Sequence, residues 1–150
     1  MRYSGDVRRA IHDFLFGTAA TGSFLSELLV LAARVLAGLS LAVAHGWGKV
    51  PPSPKFILTV GGLGFPQPTL FAWMSGATEL VGGLLLAAGL LTRPAAFAIA
   101  VNMGVAAFLA HARDPFRARE LALLFLASAL VFLSKGGGRF ALDRVVGRRF

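Results

Sequence analysis

The sequence predicts an all-α integral membrane protein: a four-helix bundle with a short N-terminal interfacial helix and a partly structured outer loop. Three observations predict it. Of the 150 residues, 56% are hydrophobic and only 15% charged, and mean hydropathy is +0.71, outside the norm for soluble domains. The apolar residues gather in four stretches that approach the roughly 20 residues a membrane-crossing helix needs. Nearly all basic residues flank those stretches. The formal charge of +8 would point to nucleic acid on a soluble fold. Placed beside hydrophobic runs, it points instead to membrane topology and anionic headgroups, so the expected partner is the lipid bilayer and not nucleic acid. Cysteine is absent, which excludes disulfides, thiolate metal sites and iron–sulfur clusters of the chain's own.

The elements follow in order. Residues 1–24 form a cytoplasmic or interfacial segment in which Ile11, Phe14 and Leu15 fall at i, i+3 and i+4, away from Arg8, Arg9 and Asp13. That pattern suits a short helix lying on the membrane, with a frayed tail as the alternative. No apolar run there precedes a small-residue cleavage site, so no signal peptide is expected. The first span, about 25–44, runs into His45-Gly46-Trp47-Gly48-Lys49-Val50-Pro51-Pro52, where glycines and prolines are expected to stop it and Trp47 marks the interface. Residues 54–68 are too many for a turn and predict a re-entrant or interfacial piece, or a short strand at Phe56–Val60. The second span, about 70–91, lies between Pro66-Gln67-Pro68 and Thr92-Arg93-Pro94. Pro94 is suited to open a third span, about 94–111, because its missing N–H is an orphan donor at a helix start anyway. The fourth span, about 118–134, is the shortest and stops at Lys135-Gly136-Gly137-Gly138. Residues 136–150 are a basic cytoplasmic tail.

Four spans put both termini on one side. Arg2, Arg8, Arg9, Arg93, Lys135, Arg139, Arg144, Arg148 and Arg149 fall on that side, against Lys49, Lys55, Arg113, Arg117 and Arg119 on the other. The positive-inside rule then places both termini in the cytoplasm.

An ionisable side chain within a span costs about 2.5–3.5 kcal/mol on insertion scales, so each needs a partner or a function. Arg34 in the first span and Glu79 in the second come out at similar depth when counted from the expected span ends, and Asn102 in the third joins them. The expectation is an Arg34–Glu79 ion pair completed by Asn102, serving either helix register or a substrate or proton role. Gly82 and Gly83, on the Glu79 face, would let backbones approach closely. A second polar group is expected near the outer face. His45, His111 and Glu120 end or open spans there, with Trp47 and Lys49 beside them, a set that could bind a quinone headgroup and relay its protons. His111 lies nine residues from Asn102, about half a turn away, so the two cannot share a face of an ideal helix. No metal set is expected, because two histidines lack further ligands and lie shallow for haem. Gly61-Gly62-Leu63-Gly64 and Gly136–Gly138 lack the strand–loop–helix context of phosphate loops. No nucleophile with an evident base singles out a catalytic residue.

The order of these features resembles the DoxX family. Arg34 in helix one, His45-Gly46-Trp47-Gly48-Lys49, an outer loop rich in Gly, Phe and Pro, and Glu79 followed by Gly82-Gly83 carry the resemblance. It continues through Gly89-Leu90-Leu91-Thr92-Arg93, Glu120 and the closing Gly138-Arg139-Phe140-Ala141-Leu142-Asp143-Arg144, covering roughly Leu25 to Arg144. The resemblance implies a small four-helix inner-membrane protein that serves as a subunit or accessory of oxidoreductase systems. Relatives of that kind include the membrane part of a thiosulfate:quinone oxidoreductase. It points to Arg34, His45, Lys49, Glu79 and Glu120 as the positions to test, and to His111 less directly. The arginine-bearing N-terminus stands outside the common pattern and could be a docking arm.

Three functions remain in view. The first is a membrane subunit of a quinone-linked oxidoreductase system, with no intrinsic cofactor, a quinone or lipid near the outer face, and the redox cofactor on a partner subunit. The others are a purely structural accessory subunit and a small-solute carrier or chaperone using the central Arg–Glu pair.

Overall fold

In the computed structural model, which describes residues 3–17 and 22–148, the secondary structure is helical, with no strand among the described residues. Arg2 and Arg149, counted above on the terminal side, lie outside the described residues, as do the side chains of Arg8 and Arg9. Helix α1 spans Tyr3–Phe16. Helix α2 spans Phe24–Lys49, α3 Pro54–Gly62, α4 Pro68–Ala88 and α5 Thr92–Ala110. Helix α6 spans Phe116–Lys135, and a short α7 spans Asp143–Val146. Among the described helices α2, α4 and α5 are long and apolar enough to cross a membrane. Helix α6 has 20 residues, but Arg117, Arg119 and Glu120 crowd its first turns.

Local chemistry explains the boundaries. Ser23 caps α2 by accepting the Ser26 N–H at 3.1 Å, and Ser53 caps α3 by accepting that of Phe56 at 3.2 Å, with Pro54 in the first turn. The segment with three readings is therefore a helix, not a strand. Helix α4 ends at Gly89 in the left-handed region, with φ 70°. Gly136, φ 74°, closes α6 as its N–H bonds to Phe132 O at 2.8 Å.

The first span departs from expectation at its far end. Gly46 and Gly48 do not stop it: a π-helical turn at Leu41–Gly46 and a 3₁₀ turn at Trp47–Lys49 carry α2 five residues further than about residue 44. Related π-helical turns interrupt α4 at Thr78–Gly82 and α5 at Ala106–Ala110. Such turns widen the backbone ladder and recur at functional sites.

Packing explains the glycine. A Cβ on Gly46 would fall on the Leu80 backbone, one on Gly38 would meet Gly83 O at 2.5 Å, and one on Gly83 would meet Gly38 O at 2.7 Å. Gly38, Ala42 and Gly46 repeat every four residues, so one small-residue seam of α2 lies directly on the backbone of α4. Helices α5 and α6 pack along each other and close the core with Leu41, Leu86, Ile99, Met103 and Phe132. Outside it, Leu29, Leu36, Val43, Phe97, Val101, Phe108, Leu124 and Val131 are exposed around the bundle. A surface of that kind faces lipid.

Helix α1 packs on the start of α5 and on α7. His12 Nε2 lies 3.0 Å from Gly147 O, and Arg93 donates to Asp13 O at 3.1 Å. Val7, Ile11 and Phe14 point outward as an exposed apolar stripe.

Gly38→Leu and Gly83→Leu are expected to lower unfolding stability in detergent by about 3 kcal/mol each, because a side chain would force backbone apart. Gly104, whose Cβ position is open, supplies the contrast. Gly104→Ala should be neutral or stabilising by up to about 1 kcal/mol in the same denaturation measurement.

Candidate functional site

Helices α2, α4 and α5 bring one carboxylate, one ammonium and one amide together beside the π-helical turns of α2 and α4, which pack on each other. Glu79, on the π turn of α4, is only 3% exposed, and both of its carboxylate oxygens lie 2.7 Å from Lys49 Nζ. Asn102 Nδ2 donates to Glu79 Oε1 at 3.1 Å. Lys49 is 32% exposed, and its ammonium sits 5.3 Å from the centroid of the Phe56 ring on α3. A buried carboxylate survives only with a close opposite charge and its lone pairs engaged, and Lys49 with Asn102 supplies both. The arrangement is asymmetric. The anion is sealed inside the bundle while the cation remains reachable from the face opposite the termini.

Arg34 is not the partner of Glu79. Its guanidinium, 1% exposed, donates from Nη1 to Leu86 O at 2.8 Å and Ala87 O at 2.7 Å, and from Nη2 to Phe140 O at 3.4 Å. The expected register failed because the two helices are staggered: Arg34, ten residues into α2, already lies at the last carbonyls of α4. The seam sets Gly46, not Arg34, beside Glu79 and Leu80, and twelve residues of helix separate those levels by about 18 Å. Arg34 instead binds carbonyls of the last turn of α4, where a cation meets the negative end of the helix dipole.

Across the same turn the opposite arrangement holds. Asp143 accepts the Leu91 N–H at 2.6 Å and the Thr92 N–H at 3.0 Å, so a carboxylate caps the N-terminus of α5. The Asp143 N–H returns to Gly89 O at 2.8 Å. This holds Leu91 in the left-handed region at φ 48°, a strained state for a non-glycine residue. Glu27, also buried, accepts the Arg139 N–H at 2.6 Å. Arg34 Nε and Thr92 Oγ1 are buried without a hydrogen-bond partner among the described residues.

The expected outer cluster does not assemble as one group. Lys49 joins Glu79 in the buried centre. His45, on the π turn of α2 and half-buried, meets the Phe125 ring edge-on at 5.6 Å between centroids. His111 Nδ1 lies 2.8 Å from Asp114 Oδ2 in an exposed turn. Trp47 and Glu120 are exposed on the surface. Among the described residues, no three His, Asp or Glu side chains gather into a metal-holding set.

A family model described as DoxX matches residues 29–112, more than half of the chain. The chain belongs to the DoxX family. Within the matched part lie Arg34, His45, Lys49, Glu79, Asn102 and His111, whereas Glu120 and the Asp143 cap fall outside it. This DoxX chain is 36% identical over 127 residues to an uncharacterized protein of Haemophilus influenzae, an alignment covering 80% of this chain and 88% of that protein. It is 34% identical over 107 residues to an uncharacterized membrane protein of Mycobacterium tuberculosis, covering 58% of this chain and 62% of the relative. No solved structure matches.

Sequence reasoning missed Glu27, Asp143 and the amide of Arg139 in this DoxX chain. The available signal was a lone acidic residue inside an arginine-rich tail, preceded by glycines that let the tail fold back. Asp143→Ala, which leaves two helix-start N–H groups buried without an acceptor, is expected to cost about 2 kcal/mol of unfolding stability. Exposed Glu120→Gln should stay within about 0.5 kcal/mol in the same chemical-denaturation series.

Proposed function

We propose that this DoxX protein is the membrane subunit of a quinone-linked oxidoreductase system, with the Lys49–Glu79–Asn102 centre receiving the quinone headgroup and a partner subunit carrying the redox cofactor. The observation that supports the reading is the asymmetry of the buried pair: a reachable ammonium held in place by a sealed carboxylate. A quinone needs a hydrogen-bond donor for its ring oxygen, an aromatic or apolar surround, and access from lipid. Lys49 is the donor and Phe56 the neighbouring ring, and the exposed apolar flanks of α2 and α4 lead to the bilayer. When bound, the quinone supplies two-electron, two-proton redox chemistry.

The protein groups divide the remaining work. Lys49 offers its ammonium hydrogen atoms to the ring oxygen. Glu79 fixes that ammonium, keeps the site neutral, and stands at hydrogen-bond distance to exchange a proton with it. Asn102 orients the carboxylate. Both termini face the cytoplasm in this reading, since the terminal side holds the larger share of the arginines; the quinone site then lies toward the outer leaflet.

A structural accessory subunit is the second reading, favoured by the use of Arg34 and Asp143 on helix ends rather than on an open site. A carrier built on an Arg34–Glu79 pair is not proposed, because those two side chains are not paired.

Protein purified in mild detergent and extracted with organic solvent should yield near-stoichiometric quinone. A Lys49→Met/Glu79→Leu double variant removes both charges together and so should keep its fold, yet retain at most about one tenth of that quinone. Absence of quinone from the unaltered protein, or equal quinone in the double variant, supports the accessory reading instead.

A further inference from the structure

The chain after α6 folds back against the start of α2 and carries three cations that the bundle does not use. Arg139, Arg144 and Arg148 line two adjoining openings on the terminal face, of about 300 and about 310 Å³. Among the described residues, none of these guanidinium groups makes a hydrogen bond or ion pair. Other internal cations are engaged: Arg34 on carbonyls, Lys49 on Glu79, and Arg93 on Asp13 O and Ser134 O. The first opening also touches Glu27, whose buried carboxylate holds the Arg139 amide. Three arginines against one acid leave the cleft positive.

Its second wall is apolar. Phe140, Leu142 and Val145 are exposed beside the arginines. Phe140 meets Phe24 edge-on at 6.1 Å between ring centroids, and Phe24 begins the first spanning helix, followed by exposed Leu25 and Leu28. A row of cationic donors above an apolar wall that descends along a membrane helix matches one chemistry: a phosphate ester joined to hydrocarbon.

We propose that this cleft binds an anionic glycerophospholipid, its phosphate on Arg139, Arg144 and Arg148 and its acyl chains on the surface made by Phe24 and Phe140. Guanidinium groups suit phosphate because their planar forks donate two bonds to it. The apolar wall argues for a lipid over a soluble phosphate, which would gain nothing from it. Arg144 sits next to Asp143, the cap of α5. A lipid held there also fastens the tail that holds the α4–α5 turn. The site is independent of the quinone reading and lies at the opposite face of the bundle.

The test uses the full chain in neutral detergent, titrated with phosphatidylglycerol, phosphatidylcholine or inorganic phosphate, with bound lipid counted by native mass spectrometry and thermal unfolding followed in parallel. Each basic residue near the surface contributes about fivefold in affinity, so phosphatidylglycerol is expected to bind about 100-fold more tightly than phosphatidylcholine. It should raise the unfolding temperature where inorganic phosphate at equal concentration does not. Arg139→Gln/Arg144→Gln/Arg148→Gln should abolish that preference, while Arg113→Gln/Arg117→Gln on the far face should retain it. If the triple variant fails to fold, Arg148→Gln alone should still lower affinity about fivefold. Equal binding of both lipids, undiminished phosphatidylglycerol binding by the arginine variants, or equal protection by inorganic phosphate would overturn the proposal.

Discussion

Backbone contact between α2 and α4 governs which buried charges of these two helices find which partners. Gly38 and Gly83 press against each other's carbonyls, and Gly46 lies on the Leu80 amide. Two helices that touch through main chain have almost no freedom to slide, since a shift of one residue would drive side chains into that seam. The seam therefore fixes which residues face each other. Lys49 reaches Glu79 from the end of α2, and Arg34 arrives at the last carbonyls of α4.

With that register set, the ionisable residues separate into two systems with different physics. At the terminal end, charge is matched to helix ends: a guanidinium on the carbonyls that close α4, and a carboxylate on the N–H groups that open α5. Opposite charges on opposite ends of consecutive helices let the chain reverse within the three residues Gly89-Leu90-Leu91 while satisfying backbone groups that lipid could not. In the other system, charge is matched to charge. Lys49 and Glu79 neutralise each other where the π turns widen the helices, and the exposed side of Lys49 leaves that pair open to a ligand. The first system explains how the bundle holds its shape, and the second is the centre on which the proposed function rests.

Much of this was legible in the sequence. Three of the four expected spans and the proline boundaries follow from composition and punctuation, whereas the fourth stretch forms a helix that is not apolar enough to count as a span; Glu79 with Asn102 stood out as polar groups in spans. The identity of the cation did not follow. Depth was counted on the assumption that Gly46-Trp47-Gly48 ends the first helix, as it would in water. In the bundle Gly46 lies against the α4 backbone, the helix continues to Lys49, and α2 is staggered along α4 so that Arg34 reaches the end of α4 and Lys49 reaches Glu79. Asp143 and Glu27 were hidden for another reason. Their acceptors' partners are backbone amides brought close only by the return of the tail, and backbone groups carry no signature in a sequence.

The most direct test of this account is a pair of double-mutant cycles on unfolding stability in detergent, Lys49→Met with Glu79→Leu against Arg34→Met with Glu79→Leu. The account predicts a coupling of about 2 kcal/mol or more for Lys49 with Glu79, as for charges in direct contact, and about zero for Arg34 with Glu79, which lie too far apart to interact. Strong coupling of Arg34 to Glu79 together with additive behaviour of Lys49 would contradict the register, and with it the placement of the site.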